Sequence, residues 1–317
     1  MISLQRFSSI AELHLSRVRF RNLQQFGDLV CALPRLGTLR LRNIMGLESR
    51  SDTVALGRRT TVSVLSNFEL YFGEYYNAAL PALTSWIGAA LPNNTLTNIS
   101  VDGGYSEITQ WTTSMNQLLR AAGQSLRSIH IDNMCIRSQE RRPQGAPFIP
   151  GFIPVTEVPI DRLLNFVHNT HLRSISLDLV YKEGAHRAVF NGWLPWLLSH
   201  ISSGELTDIE VYIPDLTACN DILARGGMPE ICNSVGFSEI DAIISTPQFE
   251  RLQHVRFLFD LEEVHWWIDG DDIAVDHNIH PIFWTETRRI LATKIFNGIR
   301  EHMPLTHARG ILSLERC

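Results

Sequence analysis

Leu36-Gly37-Thr38-Leu39-Arg40-Leu41-Arg42-Asn43 decides how this chain is read. Leu39-x-Leu41 is the period-2 alternation of a strand with one buried face. Leu36, three residues earlier, turns the incoming chain toward the same core. The pattern recurs as Ile10-x-x-Leu13-x-Leu15, Leu65-x-x-Phe68-x-Leu70, Leu96-x-x-Ile99-x-Val101 and Leu126-x-x-Ile129-x-Ile131. It continues as Leu172-x-x-Ile175-x-Leu177, Leu206-x-x-Ile209-x-Val211 and Leu252-x-x-Val255-x-Phe257, with a weak copy around Ile311, Leu312 and Leu314. The spacings between the eight clear copies are 26, 29, 31, 30, 46, 34 and 46 residues. The first four lie near the long end of leucine-rich repeats.

One such strand cannot bury its face alone, so the copies must stack. Parallel stacking needs long crossovers, usually helical. Helical periodicity lies between the copies at Asn22–Leu33, Tyr75–Leu91, Ser106–Ala122, Ile160–Val167, Arg187–Ile201, Ser238–Ile244 and Thr285–Met303. Pro81 is expected to kink or divide the second of these, and Gly123 to stop the third. The residues between paired strand positions are His14, Arg40, Glu69, Ser100, His130, Ser176, Glu210 and Arg256. All are polar. A parallel sheet buried on both faces would be continuously apolar instead. The expected fold is therefore α/β: a leucine-rich-repeat-like solenoid, or horseshoe, with parallel strands on the concave face and helices on the convex face. It forms a single domain over residues 1–317.

Composition agrees with that architecture. The 317 residues are 44% hydrophobic, which excludes a disordered chain, and 19% charged with a net charge of -5. Without a basic excess, no nucleic-acid or membrane-surface partner is expected. No apolar run is long enough for a membrane span, and the N-terminus does not read as a signal peptide. The five cysteines, Cys31, Cys135, Cys219, Cys232 and Cys317, make neither a disulfide framework nor a zinc pattern. The sequons at Asn93 and Asn98 then read as chance matches. A reduced cytoplasmic or nuclear setting is expected.

Besides a break from Asp215 to Asn233, to which no function is given, two stretches interrupt the period. Residues 137–159 carry Arg137, Arg141, Arg142 and five prolines, an extended loop inserted in the array. Residues 261–284 are an irregular Trp/His/Asp-rich segment near the C-terminal cap. There His265, His277 and His280 offer an alternative reading, a metal-dependent enzyme. An EF-hand fails, because counting from Asp269 the sixth position is Ala274 and the twelfth is His280. The other reading of the segment is a capping loop whose tryptophans cover the last repeat. The nucleotide-binding glycine motifs and the G-x-S-x-G nucleophile motif are missing. No catalytic residue, metal site or cofactor is assigned.

The run Phe7-x-x-Ile10-x-x-Leu13-x-Leu15-x-x-Val18-x-Phe20, then Phe26-Gly27-Asp28-Leu29 and Leu33-Pro34-x-Leu36-x-x-Leu39-x-Leu41-Arg42-Asn43, resembles the leucine-rich-repeat region of mushroom-type fungal F-box proteins. The ending His307-Ala308-Arg309-Gly310-Ile311-Leu312 resembles it too. The resemblance implies a substrate-recognition role in a ubiquitin-ligase receptor. In that family an N-terminal F-box binds a Skp1-type adaptor. The first repeat here begins within ten residues of Met1, which leaves no room for an F-box. The asparagine often found three residues after the last strand leucine is also missing. Val18, Ile44, Gly73, Gly104, Met134, Val180, Pro214 and Asp260 stand there, so irregular coils are expected.

In-register stacking would set equivalent positions about 4.8 Å apart. The row after the last strand leucine reads Ser16, Arg42, Tyr71, Asp102, Asp132, Asp178, Tyr212 and Leu258. The expected partner-binding set on the concave face is Arg40, Arg42, Tyr71, Asp102, His130, Asp132, Asp178, Glu210 and Tyr212. The three aspartates suggest a docking strip for a basic protein surface. An ordinary solvated surface, each Asp capping a turn, would give the same residues.

Overall fold

The computed structural model describes residues 9–47, 64–71, 79–90, 95–102, 108–132, 164–178, 193–213, 232–233, 235–259 and 281–316. Every copy of the pattern becomes a strand. These are β1 (Glu12–Ser16), β2 (Thr38–Arg42), β3 (Asn67–Tyr71), β4 (Asn98–Asp102), β5 (Ser128–Asp132), β6 (Ser174–Asp178), β7 (Asp208–Ile213), β8 (His254–Phe259) and β9 (Leu312–Arg316). The weak terminal copy is β9, with Leu314 level with Phe257. Together they make a nine-stranded parallel sheet whose strand order is the chain order.

The register is the one the repeat dictates. Leu13, Leu39 and Phe68 stand level across β1 to β3, as do Leu15, Leu41 and Leu70. Ile99 and Ile129 continue the first row through β4 and β5. These apolar residues are buried from β2 onward, and only half-buried on β1. A one-residue slip would expose every one of them, so the alternation pins the pairing.

The helices are α1 (Leu23–Cys31), α2 (Ala79–Ala90), α3 (Ile108–Ala122), α4 (Trp193–Ser199), α5 (Phe237–Ile244), α6 (Pro281–His302) and α7 (Pro304–Ala308). Asn22 caps α1, its side chain accepting from Gln25 N at 2.9 Å. Gln25 Oε1 accepts from Arg21 N in return. The apolar side of α1 puts Phe26 and Val30 in the core, and α3 buries Trp111, Met115, Leu118, Leu119 and Ala122. Gly123 ends α3 with a left-handed φ of 54°.

Pro81 is the third described residue of α2, and residues 75–78, on which the expected kink or division rests, lie outside the described residues. Two expectations need correction. Residues 164–167, expected to end a helix, are not helical. There the chain turns so that the buried Asn169 amide can donate to Leu119 O and Gly123 O, both at 2.9 Å. The last helix starts earlier than its periodicity suggests. Residues 281–284 of the segment read as irregular belong to α6.

The chain forms two compact units. The first comprises Met1–Cys135, Pro159–Ile175 and His200–Leu206; the second comprises Ile136–Val158, Ser176–Ser199 and Thr207–Cys317. In the first, Phe20 packs edge-on against Phe26, and Phe26 against Trp86, with centroids 5.4 and 5.1 Å apart. In the second, Phe237 of α5 packs edge-on against Phe257 of β8 at 5.1 Å. Residues 137–159 and the histidines 265, 277 and 280 lie outside the described residues.

Of the positions where the asparagine is missing, only Val18 and Ile44 lie among the described residues. Before β1–β5 and β7 one carbonyl accepts two N–H groups from the next repeat. Ala11 O takes Gly37 N and Thr38 N at 2.8 and 3.0 Å. Gly37 O takes Ser66 N and Asn67 N, Ser66 O takes Thr97 N and Asn98 N, and Thr97 O takes Arg127 N and Ser128 N. Thr207 O does the same for Gln253 N and His254 N in the second unit. Hydroxyls reinforce the turn: Ser66 Oγ donates to Gly37 O, Thr97 Oγ1 to Ser66 O and Ser125 Oγ to Leu96 O. Lateral ties also follow the strands: Arg17 N donates to Arg42 O and Asn43 N to Tyr71 O, both at 2.8 Å.

Candidate functional site

The exposed face of β1–β5 carries three rows of polar side chains, because alternate strand residues share a face. They differ in what their groups already hold. The first row, at the strand starts, is a closed amide ladder. Asn67 Nδ2 donates to Thr38 Oγ1 at 3.1 Å, and Asn98 Nδ2 to Asn67 Oδ1 at 2.6 Å. The middle row is His14, Arg40, Glu69, Ser100 and His130, level in register. Arg40 Nε lies 2.8 Å from Glu69 Oε1, which neutralises both charges within the row.

The third row ends the strands with Ser16, Arg42, Tyr71, Asp102 and Asp132. Arg42 is level with Ser16 on one side and Tyr71 on the other, so neither neighbour offers a carboxylate. Its guanidinium has no side-chain partner among the described residues, and it is exposed. Tyr71 Oη lies 3.3 Å from Ser100 Oγ, which leans the ring toward β4. Asp102 and Asp132 are directly level on β4 and β5. Asp102 is only 6% exposed, and Asp132 has His130 Nε2 at 3.5 Å. Level carboxylates on adjacent strands repel, which costs stability unless positive charge approaches them.

The middle and third rows border one groove of about 580 Å³, lined by His14, Ser16, Arg40, Arg42, Asn43, Glu69, Tyr71, Asp102 and Asp132 among others. It is basic at Arg42 and acidic at Asp102 and Asp132, with the Tyr71 ring between. The sequence-derived set from Arg40 to Asp132 is thus gathered here, though His130 does not line the groove. His14, Ser16 and Asn43 do, and sequence reasoning left them out. Their signal was available, since each sits one repeat before, or one residue after, a chosen position.

Asp178, Glu210 and Tyr212 belong to the second unit. Glu210 is already engaged: Arg256 Nη1 donates to its Oε2 at 2.8 Å, and Ser176 Oγ to its Oε1 at 3.2 Å. Arg256 Nε also lies 3.2 Å from Glu315 Oε1. Tyr212 is level with Leu258, and Asp178 closes β6. No group of three His, Cys, Asp or Glu residues among the described ones is placed to hold a metal ion. No described helix is long and apolar enough to cross a membrane.

Comparison with family models, with curated proteins and with solved structures returns no match for this chain.

Proposed function

We propose that this chain is a leucine-rich-repeat-like solenoid of horseshoe type that acts as a non-catalytic protein-binding scaffold. In this reading it is the substrate-recognition part of an F-box-type ubiquitin-ligase receptor, working in the cytoplasm or nucleus. A Skp1-type adaptor would join only through an F-box carried by a longer form of the protein. The observation behind it is the groove on the exposed face of β1–β5, where Arg42, with no side-chain partner among the described residues, stands across Tyr71 from the level carboxylates of Asp102 and Asp132. Fixed polar groups on a backbone-locked floor lose little entropy on binding, which favours recognition.

The test is affinity capture by the immobilised chain from a lysate of its source, with captured proteins identified by mass spectrometry. The double variant Arg42→Glu, Asp132→Lys should lose the specific partner. Lys294→Glu, an exposed change on α6, should retain it. Identical capture by all three proteins would remove this face from function and the scaffold reading with it.

A further inference from the structure

We infer that the groove on β1–β5 takes an extended peptide of mixed charge, with an acidic side chain on Arg42 and a basic one on Asp102 and Asp132. The inference rests on the scaffold reading above and specifies its ligand. Charge is the first argument. A uniformly basic segment would meet at one end the Arg42 guanidinium, which has no side-chain partner among the described residues, and a uniformly acidic one would meet two carboxylates at the other. Nucleic acid fails for the second reason, since its phosphates would face Asp102 and Asp132.

Length is the second argument. Neighbouring strands stand about 4.8 Å apart, so Arg42 on β2 lies about 10 Å from Asp102 on β4 and about 14 Å from Asp132 on β5. An extended chain advances about 3.3 Å per residue. The acidic and basic residues of the ligand should then stand three or four positions apart. The residues between them would cross the Tyr71 ring, whose hydroxyl is held by Ser100. A flat aromatic platform favours small or apolar side chains there. Ser16, level with Arg42 on β1, is short enough to leave the guanidinium open to the acidic end.

Fluorescence anisotropy with the full chain and three synthetic peptides tests this. Each peptide is about ten residues of Gly, Ser and Ala, long enough to span the groove. One carries Glu and Lys four positions apart, one two Lys at those positions, and one two Glu. The wild type should bind the mixed peptide most tightly. Arg42→Glu should weaken it by about tenfold, the loss of one charge-assisted contact, and make the two-Lys peptide the best ligand. Asp132→Lys should make the two-Glu peptide the best. Both residues are solvent-accessible, so circular dichroism should show all three proteins equally folded. If the two-Lys peptide binds wild type best, or neither substitution changes the ranking, the mixed-charge assignment is overturned while the scaffold reading stands. If no peptide binds and the capture experiment also fails, both are overturned.

Discussion

Two buried residues of the second unit show how single side chains set stability here. Cys232 is fully buried, and burial pushes its thiol from 9.0 up to about 11, with the Glu301 carboxylate adding to the shift. Below the unfolded value of 9.0 the thiol is neutral in both states. As pH rises past it, the unfolded thiol ionises first, so stability falls until the folded thiol ionises too. The loss at pH 10 should be about 1 kcal/mol. Urea melts at pH 8 and pH 10 should show a smaller pH effect in Cys232→Ala than in wild type, and an unchanged difference would contradict the assignment. Iodoacetamide should label Cys232 slowly at pH 8 in the native state. Asp241 has a different task. Its buried carboxylate accepts from Leu305 N at 3.0 Å and from Thr306 N at 2.8 Å, and also from the Thr306 hydroxyl. Asp241→Ala would strand those donors at the start of α7. It should cost about 2–3 kcal/mol, with Asp241→Asn costing less because the amide oxygen still accepts. Thermal denaturation of the two variants measures the order.

At the scale of the element, the repeat is defined by where coils touch. Gly46 takes a φ of 78°, and a Cβ there would lie 2.0 Å from Phe20 O of the preceding coil. Both the left-handed backbone and the contact exclude a side chain. Gly46→Ala should therefore lower stability by on the order of 3 kcal/mol, seen as a lower urea midpoint with an unchanged slope. Gly204 has nothing within 4 Å of a built Cβ and no left-handed φ, so Gly204→Ala should be nearly neutral. The strands were readable in the sequence because L-x-L alternation and burial have the same period, and all nine copies became strands. Helix identity was also readable from apolar faces such as Phe26, Val30 and Leu33, while helix ends were not. Residues 281–284 belong to a helix that the periodicity began at Thr285, and the turn at residues 164–167 is imposed by the buried Asn169 amide, a tertiary demand with no local signature. The amide ladder through Thr38, Asn67 and Asn98 was overlooked for another reason. The lateral ties were sought only after the strands, whereas side-chain and carbonyl ties also precede them. The repeat alignment already set Arg40 beside Glu69 and Arg42 between Ser16 and Tyr71; the structure adds that Arg40 Nε lies 2.8 Å from Glu69 Oε1.

For the whole molecule, the sheet order predicts how damage should spread. Each strand pairs only with its neighbours in the chain, so stability should behave as a sum of repeat and nearest-neighbour terms. Leu39 is fully buried on β2 in the first unit, and Phe257 on β8 in the second is 1% exposed. Leu39→Ala removes packing worth about 2–5 kcal/mol, and Phe257→Ala about 3–5 kcal/mol. In a single cooperative globule either loss would lower amide protection everywhere by the same free energy. In a chain of neighbour contacts, Leu39→Ala should accelerate hydrogen exchange chiefly in β1, β2 and β3 and leave β7, β8 and β9 near wild type. Phe257→Ala should do the reverse. Uniform loss of protection in both variants would refute the nearest-neighbour account. The distinction matters for recognition, since the groove is built on β1–β5 alone. If protection is lost locally, Leu39→Ala should weaken binding at the groove, whereas Phe257→Ala, though destabilising by a similar amount, should leave it intact.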